Sequence, residues 1–166
     1  MRPGFADAHS NLSVALKDLG RLDESVAACH RALALNPDFA EAYSNLGRAL
    51  AAQGRLDDAV AAQHQAIALQ PASAEAHNNL GSALHALGKL DEAVAASHGA
   101  VTLRPGYGDA FFNLANALKA QGRLHEAVAA YRRTVAVAPD HGEACNTLGT
   151  VLQEQGELGE AVAAFH

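Results

Sequence analysis

Between Ala40 and Gln53 the apolar side chains fall at Ala42, Tyr43, Leu46 and Leu50. Steps of three and four place them on one face of a helix. Gly54 follows, suited to a left-handed C-cap because glycine carries no Cβ penalty there. Asp57 then offers an N-cap, and Ala59, Val60, Gln63, Ala66 and Ile67 trace a second helical face that Pro71 ends. The segment therefore predicts two helices, A and B, joined by a tight turn.

The same pattern recurs along the whole chain. The five prolines are Pro3, Pro37, Pro71, Pro105 and Pro139, each 34 residues from the next, and Gly20, Gly54, Gly88, Gly122 and Gly156 keep the same period. A fixed period of this size is the signature of a repeat array. Four complete units are expected at 6–39, 40–73, 74–107 and 108–141, with a shorter fifth at 142–166 and residues 1–5 as the tail of a preceding unit. Helix A is expected near 7–19, 41–53, 75–87, 109–121 and 143–155, and helix B near 23–35, 57–69, 91–103, 125–137 and 158–166. Asp38 with Glu41, and Asp140 with Glu143, have capping-box spacing. Small residues stand where each A helix would cross its B helix: Gly47, Gly81 and Ala115 against Ala59, Ala93 and Ala127.

Tyr43, Leu46-Gly47, Leu50, Ala59 and Pro71 follow the tetratricopeptide pattern, as do Phe111, Leu114-Ala115, Leu118, Ala127, Tyr131 and Pro139. Over essentially its full length the chain resembles the tetratricopeptide repeat family. The resemblance implies an all-α solenoid, a right-handed superhelix of antiparallel helix pairs with the A helices on its concave side. Cys29, Gln63 and Ser97 depart from the pattern, standing where an aromatic is usual in helix B. Those spots should bury less apolar area than Tyr131 and Phe165. The ends, Arg2-Pro3-Gly4-Phe5 and a last B helix without a polar cap, read as a piece of a longer array.

Composition sharpens this picture. The 39 alanines among 166 residues favour closely packed helices. A net charge of −6 argues against nucleic acid or an anionic membrane as partner. No apolar run has the length of a membrane span. Two cysteines make no disulfide framework, and they sit too far apart in the array to bond. A reducing, cytoplasmic setting is the expectation.

The sequence contains no nucleophile elbow, P-loop or dinucleotide fingerprint, so no enzyme activity and no cofactor is expected. His141-Gly142-Glu143 matches half of a deaminase signature whose cysteine half is absent. His30, His64, His98 and His166 share one B-helix position and form a ladder. One repeat spacing separates successive imidazoles, against the ~2.0–2.1 Å a zinc ligand needs, so no metal site is expected. Asp7, Glu41, Glu75, Asp109 and Glu143 share the second repeat position, where a carboxylate suits a helix N-terminus; an acidic rail for basic peptides is the alternative.

The candidate site is the concave face that the family resemblance implies. Position six of the repeat reads Asn11, Asn45, Asn79 and Asn113, then Thr147. Asparagine is a poor residue for a helix interior, so a column of it needs a reason. One is contact with the amides of an extended peptide, since the side chain both donates and accepts. The other is hydrogen bonding between repeats that locks the stacking. Ser44, Arg48, Asn78, Ser82 and Asn116 stand beside the column. Phe112 takes a place where other repeats have Ser or Asn, either as a ligand anchor or as packing against a neighbouring A helix. The column resembles the asparagine ladder of O-GlcNAc transferase repeat domains, which hold substrate polypeptides. Arg48, Lys17 and Lys119 are too scattered for the family's clamp on a terminal carboxylate. The expected function is a protein-interaction module that takes a protein or extended peptide in the concave groove. A substrate-recruiting arm of a glycosyltransferase and a scaffold that self-associates through its repeat ends are the alternatives.

Overall fold

The computed structural model describes residues 4–154 and 156–164. They form ten α-helices and no strand. These are α1 (Gly4–Asp18), α2 (Leu22–Leu35), α3 (Ala40–Ala52), α4 (Leu56–Leu69), α5 (Ala74–Ala86), α6 (Leu90–Leu103), α7 (Gly108–Ala120), α8 (Leu124–Val137), α9 (Gly142–Glu154) and α10 (Leu158–Ala164).

Each odd helix turns into the next even one through a glycine with φ between +74° and +79°. At Gly54 the amide donates to Ala51 O at 3.0 Å and the following Arg55 amide reaches Leu50 O at 2.9 Å. This pair of bonds is the Schellman closure, which satisfies two orphan carbonyls of the helix end. The same two bonds recur at Gly20, Gly88, Gly122 and Gly156.

Helix starts fall one residue before expectation at α2–α9, three before it at α1 and on it at α10, and the capping differs with them. Because α3 begins at Ala40, Phe39 occupies its N-cap with no side-chain bond, one residue too late for Asp38 to cap. Arg55, not Asp57, precedes α4, and Asp57 lies in its first turn. Ser73 caps α5 by accepting from the Ala76 amide at 3.2 Å. Before α9 it is His141 Nδ1, rather than Asp140, that accepts from the Ala144 amide at 3.2 Å.

The small crossing residues are buried. Ser13, Gly47, Gly81, Ala115 and Gly149 meet Ser25, Ala59, Ala93, Ala127 and Ala161. A Cβ added to Gly47 would run into the Gln63 side chain, and one on Gly81 into Ser97 Oγ. The polar B-helix residues thus fill space that the glycines vacate. The apolar core is largest over α6–α9, where Phe112, Leu114, Val128, Tyr131 and Leu148 pack together. Toward α1 and α2 buried serines and Cys29 replace aromatics. Phe165 and His166 lie outside the described residues.

Each even helix packs on the odd helix before and after it. Odd helices also pack directly on one another, α1 on α3, α3 on α5 and α5 on α7, more closely than successive even helices do. Closer approach on one side makes that side concave, so α1, α3, α5 and α7 line the inner face. Their direct contact thins at α7–α9.

Candidate functional site

A groove of about 740 Å³ opens on the inner face across α3, α5 and the start of α7. Its walls include Glu41, Ser44, Asn45, Arg48, Asn78 and Asn79. A smaller groove of about 320 Å³ continues past Arg48 and Asn79 to Lys17 and Ser82.

Asn45 and Asn79 of the asparagine column line these walls, and from Asn45 to Asn113 the column is a bonded ladder. Asn45 Nδ2 donates to Ser10 Oγ at 3.0 Å, Asn79 Nδ2 to Ser44 Oγ at 3.2 Å, and Asn113 Nδ2 to Asn78 Oδ1 at 2.9 Å. Each of these three rungs reaches back to the preceding inner helix. Asn45 and Asn78 are consequently only 8 % and 7 % exposed, not the open groove residues the spacing suggested. Asn79, Asn113 and Ser44 are half-buried, while Asn11, Arg48 and Ser82 are exposed. Among the described residues, Oδ1 of Asn45, Asn79 and Asn113 accepts no hydrogen bond.

Two expected site residues turn away from the groove. Phe112 is 8 % exposed, its ring 4.7 Å from His141 and 5.9 Å from Tyr131, so packing claims it and no anchor is presented. Asn116 accepts from the Tyr131 hydroxyl at 2.5 Å, across to α8. The ladder stops at the same place. Phe112 stands where the next rung would need a polar partner, and Thr147 Oγ1 bonds instead to Glu143 O of its own helix at 2.8 Å.

Tyr107 is the residue that sequence reading missed. It is half-buried and is the one aromatic ring lining the larger groove. Its hydroxyl accepts from Asn78 Nδ2 at 3.4 Å, and the Arg104 guanidinium lies 4.8 Å from the ring centre. Burial pushes the Tyr107 hydroxyl pKa up, and the neighbouring Asp109 and Glu75 carboxylates push it further. The signal was its repeat position, held by Phe39, Ser73 and His141 in other units, just before each inner helix.

The acidic column is partly paired. Arg104 bonds Glu75 at 3.1 Å, and His141 Nε2 lies 3.7 Å from Asp109. The Arg104–Glu75 contact is exposed and worth little on its own. His30, His64 and His98 are exposed on the outer helices. Among the described residues no three His, Cys, Asp or Glu side chains gather into a cation site. Cys29 is buried, which raises its thiol pKa, and Cys145 is half-buried; both are free thiols. No described helix is long and apolar enough to cross a membrane.

Sequence profiles described as TPR repeat match residues 14–54 and 47–88, and profiles described as tetratricopeptide repeat match 72–140 and 142–166. The chain belongs to the tetratricopeptide repeat family. Among solved structures, a crystal structure of MamA is 27 % identical, with a TM-score of 0.80, and the match covers 92 % of this chain and 90 % of that one. TTC0263, a thermophilic TPR protein of Thermus thermophilus, is 25 % identical at a TM-score of 0.81, covering 96 % and 87 %. PilF of Pseudomonas aeruginosa reaches a TM-score of 0.90 at 18 % identity, covering 98 % and 75 %, a likeness of fold alone. No curated protein matches the chain in sequence. Its TPR repeats and TPR neighbours make this chain a protein-interaction or scaffold module.

Proposed function

We propose that the inner groove holds an extended polypeptide, with Asn11, Asn45, Asn79 and Asn113 contacting its backbone and Ser44, Arg48, Asn78 and Ser82 beside them. The supporting observation is the one-sided bonding of the ladder. The Asn45 and Asn79 amides are each fixed by Nδ2, which leaves an oriented carbonyl oxygen beside an open groove. Prepositioned acceptors of this kind bind without the entropy loss of ordering a free side chain. Tyr107 adds an amphipathic wall at one end of the same groove.

The test is the double variant Asn45→Ala with Asn79→Ala, measured against a peptide recovered by affinity capture. Two hydrogen bonds at about 0.5–1.5 kcal/mol each amount to about 1–3 kcal/mol, or roughly a 5- to 150-fold loss of affinity. The melting temperature should fall as well, because the same substitutions strip the Ser10 and Ser44 hydroxyls of partners. Affinity is therefore measured on protein verified as folded by circular dichroism. Unchanged affinity in that folded protein assigns the ladder to stacking alone and removes the groove reading.

Exposed apolar side chains favour a second reading, self-association. Leu12 and Leu19 on and beside α1, and Leu158 and Val162 on α10, are exposed at opposite ends of the described array. Stacking one end on the other of a second copy would cover both.

A further inference from the structure

We propose that the segment held along the ladder is a left-handed polyproline II helix, bound in a three-residue register. The proposal rests on the groove reading above and adds the conformation and periodicity of the ligand.

The period of the ladder matches the period of such a helix. Successive inner helices pack in direct contact from α1 to α7, and packed helices lie about 8–10 Å apart. One rung stands on each of these helices, so the ladder Asn11, Asn45, Asn79 and Asn113 takes about that spacing, with Asn45 and Asn79 on the groove walls. A polyproline II helix has three residues per turn and rises about 3.1 Å per residue, so one face returns every ~9.3 Å. Every third residue then meets a rung in the same orientation. A β-strand fails this test. Its faces return every two residues, about 6.7 Å, and three residues bring the opposite face round. An α-helix returns at about 5.4 Å per turn and has already spent its amides internally.

The hydrogen-bonding sense agrees. Asn45, Asn79 and Asn113 each spend Nδ2 on the preceding helix and keep Oδ1. The ladder therefore asks its ligand for donors. A polyproline II backbone makes no internal hydrogen bonds, so the N–H of every third residue is available while the two between can be proline. Four rungs span about three turns, which sets the bound length at about ten residues. The end of the ladder at Phe112 and Thr147 fixes where that segment must leave the rungs.

The experiment compares capped synthetic peptides of about twelve residues by NMR titration of the protein's asparagine side-chain amides. One repeats Gln-Pro-Pro and offers a donor every third residue. One is all proline and offers none. One alternates Gln-Pro, keeping the conformation but breaking the register, and one alternates Gln-Thr, which favours an extended strand. The Gln-Pro-Pro peptide should bind at least about tenfold tighter than the all-proline and Gln-Pro peptides. Asn79→Ala should weaken it by about 2- to 13-fold, one hydrogen bond. Equal binding of the three proline peptides, or tighter binding of Gln-Pro, overturns the register. Tighter binding of Gln-Thr with the same dependence on Asn79 overturns the polyproline conformation and leaves the groove reading standing. Absence of binding by all four at millimolar concentration, together with unchanged affinity in the double alanine variant, removes both.

Discussion

Single residues carry the sharpest contrast between what the sequence showed and what it hid. The column Asn45, Asn79 and Asn113 stood out because asparagine is disfavoured inside helices. Inter-repeat bonding was one expected reason for it, but the partners were invisible, since each rung pairs with a residue 35 positions back, one step off the 34-residue lattice. Comparing equal repeat positions could not reveal that. Phe112 was conspicuous as an odd residue, but its direction depends on His141, which belongs to the turn before another helix. Tyr131 yields a pH prediction. Its hydroxyl is pushed up to about 12, chiefly by burial and further by Glu143. A folded pKa above the unfolded value near 10 means that the native state keeps its proton longer. The corresponding stability is fully present below pH 10 and is lost as pH rises toward about 12. Tyr131→Phe should cost about 0.5–1.5 kcal/mol at neutral pH, for the bond to Asn116, and should flatten the loss of stability above pH 10. Denaturation midpoints of both proteins across that range test it; parallel slopes would sink the assignment.

At the scale of elements, two lattice glycines do different work. Gly54 has φ +78° and nothing within 4 Å of an added Cβ, so it is there for backbone conformation. Gly47 lies inside α3 with ordinary dihedrals, and it is there for the Gln63 side chain and for Ala59 O, which would lie 3.1 Å from a Cβ. The helix pairs and turns were legible because hydrophobic spacing, glycine and proline all agreed. The caps were not, because α3 starts one residue too late for Asp38 and α4 two residues too early for Asp57. Gly54→Ala should cost about 1–2 kcal/mol from the left-handed conformation alone. For Gly47→Ala the expected gain in helix propensity, about 0.5–1 kcal/mol, is outweighed by overpacking of about 1–3 kcal/mol. Gln63→Ala removes the clashing side chain, so the two substitutions should couple favourably by about 0.5–3 kcal/mol, whereas Gly54→Ala should add independently to Gln63→Ala. Urea denaturation of the full set decides this. Additivity at Gly47 would mean that Gln63 does not set its size.

For the whole molecule, the 34-residue period made the fold readable before any coordinates, because every level of the sequence repeats with it. What the period could not convey is where the array stops being uniform. The aromatic core of α6–α9 and the polar crossings of α1–α4 differ in substance, and inner-helix contact thins at α7–α9, where the ladder also ends. A solenoid is held by nearest-neighbour interfaces, so its end faces are the surfaces with an interface still to make. In this chain Leu19 is 72 % exposed at one end, and Leu158 and Val162 are 62 % and 58 % exposed at the other. Apolar surface displayed this way tends to find a partner. If the α1 face of one copy stacks on the α10 face of another, the contact is heterologous and does not close, so association should grow with concentration instead of saturating at a dimer. Light scattering over a broad concentration range should show a rising mean mass. Leu12→Gln with Leu19→Gln, both at exposed positions where substitution disturbs little of the fold, should return the chain to a monomer with its melting temperature within a few degrees. The companion substitution Val162→Gln should do the same from the opposite end, and mixing the two variants should restore pairs but not longer assemblies, because each retains one intact face. A strict monomer at high concentration, or variants that associate as the parent does, would rule out the end faces as the surfaces involved.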